Sequence, residues 1–172
     1  EGGMTTCNDA ELDAKMRLFR SHGMAGKYYH TELGLNYRMT DVEAAIGREQ
    51  LKRLDDMVAT RRRNADILNA GLGQIAGIKP QATTLNGQHA WHQYCILVDE
   101  KDFGCGRDEL GERLKARGVQ NGVHYPRGMH QQPVYEAKFG KQTLAVTEQL
   151  AETILAIPVH HGLSADEASQ VV

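Results

Sequence analysis

The chain has 172 residues, 41% of them hydrophobic and 24% charged, and its formal net charge is −2. That length supports one domain with a hydrophobic core, or one domain and part of a second. The charge balance argues against a nucleic-acid-binding surface, which needs a basic excess, and no apolar run approaches the ~20 residues that span a bilayer. The start of the chain lacks the basic segment and apolar core of a secretory signal. Cys7, Cys95 and Cys105 are odd in number, far apart and without CxxC spacing. They read as reduced thiols of a cytoplasmic protein with no membrane partner.

Glu1 to Cys7 is glycine-led and β-prone, and reads as a strand. Asn8, with Glu11 three residues on, predicts a helix start. Leu12, Met16 and Phe19 share one face of that helix, and Gly23 supplies its stop. Residues 24–39 show no period and read as an ordered loop. Thr40 to Glu43 forms a capping box, and apolar residues then recur at three- to four-residue steps to Leu72. One helix to Gly73 would span roughly 45–50 Å at 1.5 Å per residue. The basic run Arg61-Arg62-Arg63 reads as a solvated face of it.

Beyond a turn-rich segment, Ala90 to Val98 alternates as a strand, with His92, Tyr94, Ile96 and Val98 on one side. Arg107 to Arg117 is a helix carrying Leu110 and Leu114, and Val119 to His124 is a second strand. Tyr125 to Lys141 is punctuated by proline and glycine and is long enough to be a functional loop. Thr143 to Leu155 is helical with Leu144, Leu150 and Ile154 inward, and Ile157-Pro158 is extended. Ser164 with Glu167 starts a last helix. Alternating helices and strands imply an α/β domain.

Asn36 offers two amide N–H donors that can bind a phosphate, and Arg38 adds a cationic fork beside the start of a helix. The same residues would equally satisfy loop backbone and a surface carboxylate. His89 and His92, three apart in the expected strand, point to opposite faces and cannot share a metal. His160-His161 reads as a solvated loop pair. No grouping has metal-ligand spacing, and no metal is expected.

The ordered blocks Glu1-Gly2-Gly3-Met4, Gly34 to Gly47, Gln50-Leu51, His92, Gly118-Val119, His124-Tyr125-Pro126, His130-x-Gln132-Pro133-x-Tyr135 and Ile157-Pro158 before Gly162-Leu163-Ser164 run through the chain. Together they resemble the DegT/StrS family of pyridoxal-phosphate-dependent sugar aminotransferases. The resemblance implies the C-terminal part of a fold-type-I PLP-transferase. On this division residues 1–39 end the large cofactor-binding domain, contributing its final strand and helix. Residues 40–73 form a long connecting helix, and residues 74–172 a small α/β domain.

It further implies a homodimer with a shared active site that moves an amino group from glutamate to a nucleotide-linked keto sugar. The Schiff-base lysine would lie upstream of residue 1, so no catalytic residue is assigned here and the chain is expected to be inactive alone. Asn36 and Arg38 would contact the phosphate of a cofactor held by the partner, while His124, Tyr125 and His130 would face the substrate. A non-catalytic dimerisation or sugar-nucleotide-binding module is the alternative.

Overall fold

The computed structural model describes residues 2–83 and 87–172, and they form two compact units, 1–54 and 55–172. Glu1 lies outside the described residues. In the first unit residues 2–7 form no strand: no described segment pairs with them, and an extended chain without a ladder partner is not a strand. Asp9 rather than Asn8 caps the first helix, accepting from the N–H groups of Glu11 at 2.9 Å and Leu12 at 3.0 Å. The helix is α1 (Ala10–Arg20). Its expected apolar face stays open, with Leu12 47% and Phe19 44% exposed.

The segment read as a plain loop contains a hairpin, β1 (Met24–Gly26) and β2 (Tyr29–His30), paired antiparallel. The hairpin's own turn is hidden from sequence because Tyr28, not a glycine, holds a φ of 60°, while His22 ahead of it holds a φ of 61°. Two glycines are nonetheless obligatory there. A Cβ on Gly23 would sit 1.8 Å from the Glu32 carbonyl, and one on Gly34 would sit 2.1 Å from the Gly23 nitrogen. The capping box forms as expected: Thr40 Oγ1 accepts from Glu43 N–H at 3.3 Å, and Glu43 accepts from Thr40 N–H at 3.0 Å.

The expected single long helix is two helices, α2 (Asp41–Leu51) and α3 (Leu54–Leu72). They are separated by a turn at Lys52-Arg53, where the Arg53 N–H reaches Gln50 O at 3.0 Å, three residues back instead of four. The break in apolar period at Arg61 to Arg63 does not interrupt α3.

The second unit is built on an antiparallel sheet of β3 (Ile78–Pro80), β4 (Tyr94–Val98) and β5 (Ile154–Ile157), in that spatial order. Tyr94, Ile96, Val98, Leu155 and Ile157 alternate inward and pack on Ala65, Leu68 and Leu72 of α3. β4 begins at Tyr94 and not at Ala90, because Trp91 turns the chain at φ 48°. His89 and His92 therefore lie outside it, and His92 is exposed. The expected strand at 119–124 reduces to one bridge, Gly122 to Ala156, with N–H···O distances of 3.0 and 2.8 Å. Asn121 diverts this stretch by donating to Gly111 O at 2.8 Å and Val119 O at 3.2 Å.

Helices α4 (Glu100–Phe103) and α5 (Arg107–Ala116) follow β4. The long loop at 125–141 is partly helical, with a 3₁₀ turn at Met129–Gln131 and α6 (Pro133–Phe139), which has Pro133 in its first turn. α7 (Ala145–Thr153) buries Ala151, while Leu144 and Leu150 remain 49% and 40% exposed, contrary to the inward face expected of them. Ile154 belongs to β5. A second capping box, Ser164 with Glu167, opens α8 (Ala165–Gln170).

The three arginines read as a solvated face are tethers instead. Arg61 donates to Trp91 O at 2.9 Å and Arg62 to His89 O at 3.0 Å. Arg63 donates to Leu163 O at 3.1 Å and to Asn64 Oδ1 at 3.0 Å. Asn64 is fully buried and donates to His160 O at 3.2 Å and Leu163 O at 3.0 Å. Leu68→Ala should cost about 2–5 kcal/mol by urea unfolding. Asn64→Ala should cost about 1–3 kcal/mol, because it strands the carbonyls of the 160–163 turn. A loss under about 0.5 kcal/mol in Leu68→Ala would contradict this packing.

Candidate functional site

Asn36 sits in an extended segment laid along the C-terminal end of α1. Leu35 N–H donates to Phe19 O at 2.8 Å, His22 N–H to Leu35 O at 2.9 Å, and Tyr37 N–H to Arg20 O at 2.9 Å. The Tyr37 ring meets Phe19 edge-on, with centroids 5.8 Å apart. Alternation along this segment sends Asn36 to the opposite face from Leu35 and Tyr37. There Arg38 Nε donates to Asn36 Oδ1 at 3.1 Å, and an Arg38 terminal nitrogen lies 3.5 Å from His22 Nε2. The Asn36 amide nitrogen donates to no group among the described residues. The structure thus brings the two expected cofactor-binding residues together and adds His22 beside them.

His30 completes this cluster. Its Nδ1 lies 2.8 Å from His22 O; a carbonyl only accepts, so the His30 proton is on Nδ1. The exposed carboxamide donor and guanidinium fit a phosphate in charge and in hydrogen-bonding capacity.

In the second unit His124 and Tyr125 are adjacent and exposed, their rings edge-on at 6.0 Å. The His124 imidazole lies over Gly122, where a Cβ would come within 3.1 Å of its Nε2. His130 is placed differently. Its side chain is only 6% exposed and its Nε2 lies 2.9 Å from Glu148 Oε1. Gly128 makes room for that imidazole, since a Cβ there would be 2.6 Å from His130 Cε1. Glu148 also accepts from Leu144 N–H at 2.9 Å, so the pair clasps the 3₁₀ turn to the start of α7. Met129, His130, Tyr135, Phe139 and Gln142 line an open pocket of about 330 Å³. His22, His30 and Glu148 were not singled out from sequence, because their partners are 8 to 18 residues away and follow no helical or strand spacing.

Among the described residues no group of histidines, cysteines and carboxylates could hold a metal ion. Cys95 borders another open pocket of about 600 Å³ on the outer face of the sheet, where burial pushes its thiol up and makes it a poor nucleophile. No helix among the described residues is long and apolar enough to cross a membrane.

Residues 1–172, the whole chain, match the DegT/DnrJ/EryC1/StrS aminotransferase family. The chain belongs to that family. Its members are pyridoxal-phosphate-dependent aminotransferases. It is 35% identical over 177 residues to the GDP-perosamine synthase of Caulobacter vibrioides, covering 100% of this chain and 46% of that protein. It is 33% identical over 187 residues to the spore coat polysaccharide biosynthesis protein SpsC of Bacillus subtilis, covering 100% and 48%. The chain therefore spans about half the length of the curated relatives it matches. Among solved structures, S. venezuelae DesV superposes with a TM-score of 0.85 at 30% identity, over 95% of this chain and 43% of that one. The fold of this aminotransferase-family chain is that of a part of a PLP-dependent sugar aminotransferase.

Glu148 titrates below its ordinary value of 4.5, chiefly through the hydrogen bond from His130 and then that from the Leu144 backbone, with Lys141 adding a smaller attraction. A depressed carboxylate contributes stability above its unfolded pKa and loses it as pH falls through the lower folded value. Glu148→Gln should thus lower the melting temperature at neutral pH, and the gap from wild type should close below pH 4.5. A gap that stays constant from about pH 7 to about pH 3 would contradict the clasp.

Proposed function

We propose that this chain is the C-terminal portion of an aminotransferase that moves an amino group from glutamate to the keto carbon of a nucleotide-linked sugar. The observation that carries the reading is the family match across all 172 residues. The similarity to a GDP-perosamine synthase supports a nucleotide sugar as acceptor. Bound pyridoxal phosphate supplies an electron sink for the transfer. Asn36 donates its amide hydrogens to the cofactor phosphate, in a site shared between two subunits of a homodimer. His124 and Tyr125, exposed beside one another, face the sugar, and His130 borders the same loop.

On this reading residues 1–39 end the large domain, 40–73 form the helical connection and 74–172 the small domain. All eight lysines are exposed. A lysine that bonds covalently to the cofactor needs a desolvated pocket to lower its pKa. None here has one, which supports a chain inactive alone, its covalent lysine supplied from elsewhere in a cytoplasmic enzyme. Exposed Val42 (71%), Ile46 (59%), Leu51 (51%) and Leu54 (47%) give the helical connection an apolar surface suited to association.

The test uses both this chain and the longer protein that carries it. With pyridoxal phosphate, the longer protein should show a lysine-linked absorbance and consume glutamate when a nucleotide-linked keto sugar is present; this chain should do neither. Asn36→Ala should weaken cofactor affinity about tenfold or more, the worth of a hydrogen bond to a charged group. A lysine-linked band from this chain alone, or unchanged affinity in Asn36→Ala, would overturn the reading. Sedimentation of this chain should show a dimer or larger species, and a clean monomer would count against the association surface.

A further inference from the structure

We propose that Arg38 is a positioning residue, whose guanidinium fixes the Asn36 carboxamide with both amide hydrogens turned away from it and toward the anion. The proposal rests on the reading that Asn36 meets a phosphate, and it assigns Arg38 a different part from a direct phosphate contact. An exposed carboxamide has two nearly equivalent orientations unless a neighbour tells oxygen from nitrogen. A guanidinium does this completely, because it only donates. Arg38 Nε stands 3.1 Å from Asn36 Oδ1. The flipped amide would set two donors against each other at that distance, with a positive charge on one of them.

The guanidinium has a second neighbour in the cluster. One of its terminal nitrogens lies 3.5 Å from His22 Nε2, which accepts when the proton is on Nδ1. His22 cannot drift: its backbone is at φ 61°, its N–H donates to Leu35 O at 2.9 Å, and its carbonyl accepts from His30 at 2.8 Å. Arg38 thus donates to Asn36 and has His22 as a second, longer contact. A lysine carries the charge but not the planar fork, so it cannot select the amide orientation in this way.

The experiment is a double-mutant cycle on the pyridoxal phosphate dissociation constant in the longer protein that carries this chain. Arg38→Met and Arg38→Lys should each weaken binding several-fold to about tenfold. In an Asn36→Ala background, Arg38→Met should change it less than about twofold. Additive losses, or wild-type affinity in Arg38→Lys, would mark a direct charge contact and overturn the proposal. A second readout needs no cofactor: ¹⁵N relaxation of the Asn36 side-chain amide in this chain. The amide should be ordered in wild type and should loosen to the level of exposed Asn8 in Arg38→Met. Unchanged order would overturn the proposal whether or not Asn36 meets a phosphate. Unchanged cofactor affinity in Asn36→Ala would instead remove the phosphate reading on which the proposal rests.

Discussion

Three backbone hydrogen bonds, Leu35 to Phe19, His22 to Leu35 and Tyr37 to Arg20, determine what the first unit presents. They pin residues 35–37 as a strand-like edge against the end of α1. Once Tyr37 has turned toward Phe19, the alternation of side chains leaves Asn36 on the other face. Arg38, one step along the same face, then falls within reach of it. The strained-looking neighbourhood serves this docking: His22 at positive φ lets the chain leave α1 and fold back, and Gly23 and Gly34 permit the backbones to approach where a Cβ could not fit.

The second unit solves a related problem by other means. Its core is the inner face of a three-stranded antiparallel sheet laid on α3, but the chain before β4 and after β5 is irregular and has carbonyls to satisfy. Arg61, Arg62 and Asn64 supply donors from a single turn of α3, to the 89–92 approach and to the 160–163 turn. A basic run and a buried asparagine therefore act as a seam between helix and loops. In the segment after residue 125, His130 and Glu148 hold the 3₁₀ turn to α7 by the same logic, with a titratable pair in place of an amide.

Much of the helical framework was legible because its signals are local. The capping boxes at Thr40 and Ser164 form with the partners their spacing implied, and the motif blocks named the family that the whole-chain match establishes. What escaped depends on contacts distant in sequence or on unmarked backbone. The turn at Lys52-Arg53 contains no glycine or proline to announce it. The hairpin at 24–30 turns at Tyr28, a bulky residue that seldom takes positive φ. Val119 to His124 has strand-like composition, yet Asn121 spends its amide on local carbonyls and only one bridge forms. At the candidate site Asn36 and Arg38 could each be picked out from sequence as residues able to bind an anion, whereas their relation to one another could not. That relation requires the geometry, because i and i+2 residues on an extended segment share a face only once the segment is known to be extended.

The central claim is that Asn36 is held ready to donate to the phosphate of pyridoxal phosphate. The most direct measurement is a crystal structure, with pyridoxal phosphate bound, of a protein containing this chain and the covalent lysine proposed for it. The Asn36 amide nitrogen should lie within about 2.7–3.2 Å of a phosphate oxygen, with Oδ1 still facing Arg38. A phosphate bound without Asn36, its carboxamide turned to other partners, would contradict it.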